Sequence, residues 1–304
     1  LGAEFLPHDI AATGEEVLRE SVLDLIKILK KETDLKNIVF SGGLFQNVAL
    51  NQNLLDGEFH DVYFPSAPSD SGLSLGAALF VKNKRVSNSR KILSAYLGPS
   101  FSNSEIKQVL ESHRLIYSKP KDLIKRSAQL ISSGNTIGWF QGKGEYGPRS
   151  LGNRSLVADP RKIRSKEKIN QLLKKRDWFM PYAPAILENE LKNWVLHPIK
   201  SPYMQIAFKV KNNKIEEIPA AVHKDNSSRF QTVNKKSNPI FWKTINHFYK
   251  LSNIPMVLNT SFNRHGISTI GSPRSAIEHL LEGNMDVLII DNFVIKFGEN
   301  RMIR

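Results

Sequence analysis

One stretch, Gly138 to Arg161 (GWFQGKGEYGPRSLGNRSLVADPR), constrains the fold more than any other. The apolar run Thr136 to Phe140 predicts a buried strand end. Glycines, polar residues and Pro148 follow at once, so the chain must turn there. Within 12 residues come Lys143, Arg149 and Arg154, interleaved with Gly142, Gly144, Gly147 and Gly152. Glycine lets backbone N–H groups approach an anion closely. Arginine offers a planar fork that fits a phosphate or a carboxylate. The loop is therefore a candidate anion site, and pattern alone leaves an ordinary solvated basic loop open.

The composition bears on which anion. The net charge of the 304-residue chain is +14, which attracts nucleic acid, anionic lipid or phosphorylated small molecules. Between Lys143 and Arg176 there are eleven Lys and Arg against three Asp and Glu. Cysteine is absent, which excludes disulfides and thiolate chemistry and fits a cytoplasmic protein. No apolar run approaches the roughly 18 residues of a membrane span. The length suggests two domains. The chain begins with Leu1 in what reads as mid-domain, so a fragment or one half of a split protein is expected.

Taken in order, Thr13 and Glu16 suggest a capping box. A helix to about Lys31 follows, with Leu18, Val22, Leu25, Ile26 and Leu29 at helical spacing. Ile38 to Phe40 predicts a strand ending at Ser41-Gly42-Gly43, with a helix from Phe45 to about Leu55. A strand, a Gly-Gly turn and a helix make a plausible nucleotide phosphate site, and equally a plain connection. Val62 to Phe64 predicts a short strand, and a helix of small residues opens after Asp70. Polar residues 82–91 predict a linker. Beyond it, helices are expected at Ser104–Ser112, Pro120–Ile131, Lys166–Leu173, Pro239–Leu251 and Pro273–Leu281. Strands are expected at Ala183–Leu187, Ile206–Val210 and Pro255–Leu258, with a closing hairpin around Asp291-Asn292. His223, Arg229 and Gln231 read as a polar loop. Ser261 and Asn263 at a strand end suit either ligand contact or a turn. Trp178, Phe179 and Tyr182 beside Lys174, Lys175 and Arg176 could stack on bases, but the apolar strand that follows favours core packing.

GPRSLGNRSLVADPR resembles the GPRALGNRS…ADPR signature of the carbamoyltransferase family, which includes nodulation-factor and antibiotic O-carbamoyltransferases. Four further stretches match in order: KRDWFMPYAPAIL, AVHKDNSSRFQTV, LNTSFNRHG and GSPRSAIEHL. SGGLFQN and PSDSGLSLGAAL resemble the second half of that family's actin-like ATPase domain. The resemblance implies an α/β chain in two parts. Residues 1–82 would be the C-terminal half of an actin-like (ASKHA) domain, 83–91 a linker, and 92–304 a YrdC-like domain with a twisted sheet.

The resemblance also implies chemistry. Carbamoyl phosphate and ATP would give carbamoyl-adenylate, and the carbamoyl group would pass to a hydroxyl or amine of a small-molecule acceptor such as a sugar, antibiotic or glycolipid. Arg149, Lys174 and Arg229 would hold phosphate groups, and Ser261 and Asn263 would contact the nucleotide. Gly42, Gly43 and Asn47 would meet nucleotide in the actin-like part, with Lys143 and Arg154 as further ligand contacts. Arg154 could instead brace the loop by pairing with Asp159. Asp70 would bind a divalent metal, iron or magnesium, whose histidine partners are missing here; His8 and His60 read as surface residues. A partner polypeptide carrying the first half of the domain, or self-association, would complete it. One departure stands out: Met180 occupies a position where the family carries arginine, and methionine cannot pair with phosphate. The competing readings are a non-catalytic nucleic-acid binder, motivated by the charge, and an inactive scaffold subunit of a split enzyme, motivated by Met180 and the missing first half.

Overall fold

The computed structural model describes residues 5–55, 59–85, 94–171 and 182–300. The first segment opens with helix α1 (Pro7–Thr33). A strand β1 (Asn37–Val39), helix α2 (Val48–Asn53), strand β2 (Asp61–Tyr63) and helix α3 (Leu73–Arg85) follow. α1 starts earlier than the expected capping box, because Pro7 sits in its first turn, where a missing N–H costs nothing. Thr13 lies inside the helix and turns its hydroxyl back to the Asp9 carbonyl (2.8 Å). α3 continues through Lys82 to Arg85, so the expected linker begins as helix; residues 86–93 lie outside the described ones.

The second segment carries a seven-stranded mixed sheet. Its strands are β3 (Ile137–Phe140), β4 (Arg154–Ala158), β5 (Ala183–Leu187), β8 (Gln231–Val233), β9 (Met256–Ser261), β10 (Val287–Ile290) and β11 (Phe293–Lys296). The order across it is β11-β10-β3-β4-β9-β5-β8. β10 and β3 run parallel, as do β5 and β8, and the other neighbours are antiparallel. The short pair β6 (Phe208–Lys209) and β7 (Ser227–Ser228) stands apart. Six of the seven sheet strands are buried almost throughout, which requires cover on both faces. Helices α4 (Asn103–Ser112), α5 (Leu123–Ser132), α6 (Ile163–Ile169), α7 (Pro239–Ser252) and α8 (Pro273–Leu281) pack around it. Each of α4, α5, α7 and α8 starts on a Ser, Asp or Asn side chain that accepts from the first turn. The α/β class expected from the sequence is the class observed. So is the closing hairpin, where Asp291 takes a left-handed φ of 45° between β10 and β11.

Several expected elements change: the helix expected at Lys166–Leu173 is α6 at Ile163–Ile169, with residues 172 and 173 outside the described ones, and the helix expected from Phe45 begins at Val48. Ile206–Val210 contributes two strand residues, because its first half bonds the first segment instead of a neighbouring strand. Ala207 N–H donates to the Val48 carbonyl (3.1 Å), and Asn51 Nδ2 donates to the Gln205 carbonyl (2.8 Å). Gln205 Nε2 in turn reaches the Pro65 carbonyl (3.1 Å). A further change is β4, a strand inside what reads as loop, described below. Tyr182 is buried in the core with its hydroxyl on Asn170, as expected of core packing.

The first segment buries far less. Among the described residues β1 pairs with β2 alone, a parallel pair of three residues. Isolated parallel pairs of that length are unusual, since parallel strands are normally covered on both faces. Val22 and Ile26 are the buried residues of α1, whereas Leu25, Ile28 and Leu29, which share one face, are exposed. Leu73, Phe80 and Val81 of α3 are exposed too. Among the described residues no helix is long and apolar enough to cross a membrane. An apolar surface of this extent favours association. The purified chain is expected to self-associate in a concentration-dependent way, and Leu25→Glu with Leu29→Glu should reduce it. Light scattering at several concentrations checks both; an ideal monomer throughout would contradict it.

Candidate functional site

The glycine-rich loop turns several of its N–H groups inward. Gln141 leaves β3, the chain loops out, and β4 returns beside β3 at Arg154. Inside the loop, Glu145 turns its carboxylate inward. One oxygen accepts from the backbone N–H groups of Leu151 (2.7 Å), Asn153 (2.7 Å) and Arg154 (3.2 Å). The anion cradle expected from the glycines is thus filled by the loop's own carboxylate. Burial raises the Glu145 carboxyl above its ordinary range, and the three N–H donors oppose that shift.

Arg154 is the counterpart. Its guanidinium lies 3.5 Å from the centre of the Phe140 ring and donates to four carbonyls. These belong to Gln141 (2.7 Å), Asn153 (3.1 Å), Pro99 (3.0 Å) and Gly142 (3.0 Å). Burial lowers its pKa to about 10, so it stays charged at neutral pH, where the field of Glu145 supports it. Arg154 therefore braces the loop and does not line the cavity described below. Nor does it pair with Asp159, whose buried carboxylate is held by Arg161 (2.7 Å). Gly152 adopts a φ of 100°, and a Cβ there would lie 2.3 Å from the Phe241 ring, so this turn accepts glycine alone.

With the loop fixed, Arg149 and Ser150 reach a cavity of about 300 Å³, at the lower end of ligand-site volumes. Arg149 comes from the loop, His223 and Arg229 from the segment around β7, and Asn259 and Ser261 from β9. Val48 of α2 closes one side. The structure thus brings together Arg149, Arg229 and Ser261, which the sequence placed in three separate motifs. Ser261 Oγ donates to Asn263 Oδ1 (2.6 Å), and Asn263 Nδ2 donates to the Ile267 carbonyl, so the Ser-x-Asn element is internally bonded. Lys174 and Met180 lie outside the described residues.

Other expected contacts fall elsewhere. The Lys143 side chain is exposed outside the cavity, and its carbonyl accepts from Asn153 Nδ2 (2.7 Å). Gly42 takes a φ of 127° and donates its N–H to the Pro68 carbonyl (2.6 Å), while Gly43 lies beside it without touching the cavity. Asn47 caps α2, accepting from Ala49 (3.1 Å) and Leu50 (3.0 Å), and donates to the Glu15 carboxylate (2.8 Å). Those bonds engage the Asn47 oxygen and amide within the protein, so its role as placed is helix capping. Asp70 stands at the start of a short 3-10 helix and is not buried. Among the described residues no three His, Asp or Glu side chains converge on a metal position, and His8 and His60 are exposed. One carboxylate is a poor donor set for iron and a minimal one for magnesium, so the described residues around Asp70 do not fit the expected metal.

Two residues enter the site that the sequence did not single out as ligands. Asn259 is 1% exposed, and its orientation is fixed. Gln231 Nε2 donates to the Leu151 carbonyl (2.8 Å), which turns Gln231 Oε1 toward Asn259 Nδ2 (2.8 Å). Nδ2 also reaches the Ser150 carbonyl (3.2 Å). Among the described residues Asn259 Oδ1 is then a buried acceptor without a hydrogen bond, a group that costs stability unless a ligand donor meets it. His223 is the other. Burial lowers its pKa below the ordinary 6.5; Asp225 opposes this, and Arg229, Lys166 and Lys209 add to it.

Two expectations follow from this geometry. Arg154→Ala leaves the carbonyls of Gln141, Asn153, Pro99 and Gly142 without their donor, and a buried group left unsatisfied costs about 1–3 kcal/mol, so unfolding stability should fall by at least that much, readable as a lower denaturant midpoint. An unchanged midpoint would contradict the bracing role. His223 should titrate below pH 6.5 in imidazole NMR. Its depressed pKa contributes stability that is fully present above about pH 6.5 and lost as pH falls through the folded value.

Two family models match the chain: Carbamoyltransferase C-terminus over residues 128–296 and Carbamoyltransferase N-terminus over residues 3–79. Nodulation protein NolO of Bradyrhizobium diazoefficiens is 34% identical over 298 residues, covering 95% of this chain and 54% of that protein. Nodulation protein NolNO of Sinorhizobium fredii is 33% identical, covering 95% and 44%. An uncharacterized protein of Methanocaldococcus jannaschii is 38% identical, covering 94% and 56%. The chain spans about half the length of these relatives. Among solved structures, full-length HypF in its phosphate- and nucleotide-bound form aligns at 16% identity and a TM-score of 0.38, covering 59% of this chain and 22% of that one.

Proposed function

The chain belongs to the carbamoyltransferase family, and on that premise we propose that its cavity is where carbamoyl phosphate and ATP combine into carbamoyl-adenylate. The observation that carries this reading is the company of two arginines, Arg149 and Arg229, with the buried acceptor Asn259 Oδ1 in one cavity. Both substrates are polyanions, and arginine is the side chain best shaped to hold phosphate oxygens. The carbamoyl group differs from other acyl groups in its NH2, which brings two donors. An oriented, otherwise unsatisfied acceptor suits that group. Lys174 would add a further cation on the same motif logic, and Ser261 with Asn263 would contact the nucleotide.

The protein's share of the work is positioning and charge neutralisation. In phosphoryl and nucleotidyl transfer the barrier falls mainly through oriented cations and donors, with little covalent chemistry required of the protein. In the second step the carbamoyl group would pass to a hydroxyl or amine of a small molecule. By family resemblance that step belongs to the actin-like part, of which residues 1–82 would form the C-terminal half, with residues 92–304 as the YrdC-like unit. The acceptor transfer would then require the remainder of an actin-like domain, supplied by another polypeptide or more of the same one.

The reading is tested by pyrophosphate release from ATP by the purified chain, with and without carbamoyl phosphate. Release that depends on carbamoyl phosphate is expected; its absence, or release with ATP alone, would overturn the proposal. Acetyl phosphate provides a finer check, because a methyl replaces the NH2. Without a donor for Asn259 Oδ1 it should bind weaker by about 1–3 kcal/mol, roughly 5- to 150-fold. Equal affinity in calorimetry would remove Asn259 from donor recognition.

A further inference from the structure

We propose that His223 is the base that activates a water against the carbamoyl donor, held for that task by Ser227 and Asp225. This rests on the reading that carbamoyl phosphate and ATP meet in the cavity. His223 lines it beside Arg229. The residues behind it form a tight turn, with His223 N–H on the Ser227 carbonyl (2.8 Å), Asn226 N–H on the His223 carbonyl (3.1 Å), and Asn226 at a left-handed φ of 62°. The turn brings three side chains into a row. Ser227 Oγ donates to Asp225 Oδ1 (2.7 Å) and lies 3.1 Å from His223 Nδ1.

That row decides the tautomer. A serine hydroxyl has one proton, and here it goes to the carboxylate. Ser227 Oγ can therefore meet Nδ1 only as an acceptor, so Nδ1 carries the imidazole proton. Nε2 is then the basic nitrogen, and it makes no hydrogen bond among the described residues. Asp225 is fixed as an anion: burial would raise its pKa, but the Ser227 hydroxyl, Lys209 and the Ser227 N–H outweigh burial and hold it at about 2. A neutral imidazole backed through a hydroxyl by a carboxylate is the arrangement of a base that burial keeps uncharged and whose protonated form the carboxylate partly supports.

Atom balance supplies the task. Carbamoyl-adenylate joins a carbamate oxygen to the α-phosphorus of ATP as pyrophosphate leaves. In carbamoyl phosphate that oxygen is still shared with phosphorus, so water must first part the carbamate from the phosphate; a base in the cavity serves this by driving water onto the carbamoyl carbon. Carbamoyl phosphate dianion and water give carbamate and dihydrogen phosphate, with equal charge on both sides. The bond from carbon to the water oxygen forms, and the bond from carbon to the phosphate oxygen breaks. One water proton passes to Nε2 and on to the departing phosphate; the carbamic acid sheds the second to the same phosphate. Arg229 in the same cavity would hold that phosphate while it leaves.

The test uses the complete 304-residue chain and two carbamoyl sources. The first is carbamoyl phosphate. The second is carbamate itself, present at equilibrium in ammonium bicarbonate, which enters after the water step. With carbamoyl phosphate, His223→Gln should slow phosphate and pyrophosphate release about a hundred-fold or more. With carbamate, its pyrophosphate release should match wild type. Ser227→Ala, which keeps the ring but breaks the row, should show the same selectivity by a smaller factor, and it decides the matter if His223→Gln does not fold. Equal slowing with both sources would overturn the inference while leaving the proposed function in place, because it would mean that the residue shapes the cavity without serving the water step. A wild-type chain inert with both sources would overturn both.

Discussion

The site depends on a carboxylate that the loop keeps for itself. Glu145 sits where a glycine-rich basic loop would otherwise bind an external anion, and three backbone N–H groups converge on one of its oxygens. Burying an ion costs several kcal/mol. Hydrogen bonds to a charged group contribute about 1.5–3 kcal/mol each, so the three of them oppose that cost without cancelling it, and the Glu145 carboxyl stays above its ordinary pKa range. Arg154 closes the arrangement from the other side by gathering carbonyls from both ends of the loop and from Pro99. These donors and acceptors of the loop are bonded within the protein, and its conformation becomes a fixed platform.

The platform explains the division of labour among the basic residues. Arg154 and Arg161 are spent on carbonyls and on Asp159 inside the protein. Arg149, a short stretch of chain away from the brace, is carried to the cavity instead. The opposite wall comes from the segment near β7, which places His223 and Arg229 together, and the floor comes from β9 through Asn259 and Ser261. Strand ends and connecting turns of a covered α/β sheet are where such groups can converge without disturbing the core. Contact between Ala207 and Val48 ties α2 to the cavity edge, so the first segment shapes the site even though its own glycine turn lies elsewhere.

Much of this was legible in the sequence. Helices α4, α5, α7 and α8 and the hairpin of β10 and β11 were expected and are observed, because there local preference and tertiary packing agree. β4 was hidden because Arg154, a charged residue, opens it at a buried position; a buried arginine bonded to carbonyls leaves no hydropathy signal. The roles of Arg149 and Arg154, five residues apart in one motif, could not be separated by spacing. The separating clue was Glu145, the one acid among the loop's cations, which is what an internal counter-charge looks like in sequence. Asn259 and His223 were unreadable for another reason. Their significance lies in which atom is left over after Gln231 and Ser227 have been bonded, and that depends on where the fold places each partner.

The central claim is that phosphate groups are held by the cavity arginines and not by the backbone of the signature loop. Backbone and arginine side-chain NMR of the isotope-labelled chain, titrated with carbamoyl phosphate, tests it directly. The guanidinium signals of Arg149 and Arg229 and the amide of Ser261 should move with ligand, while the amides of Leu151, Asn153 and Arg154, occupied by Glu145, should stay in place. Large shifts at those three amides with silent cavity arginines would show that ligand displaces Glu145 from its cradle, and would contradict the account.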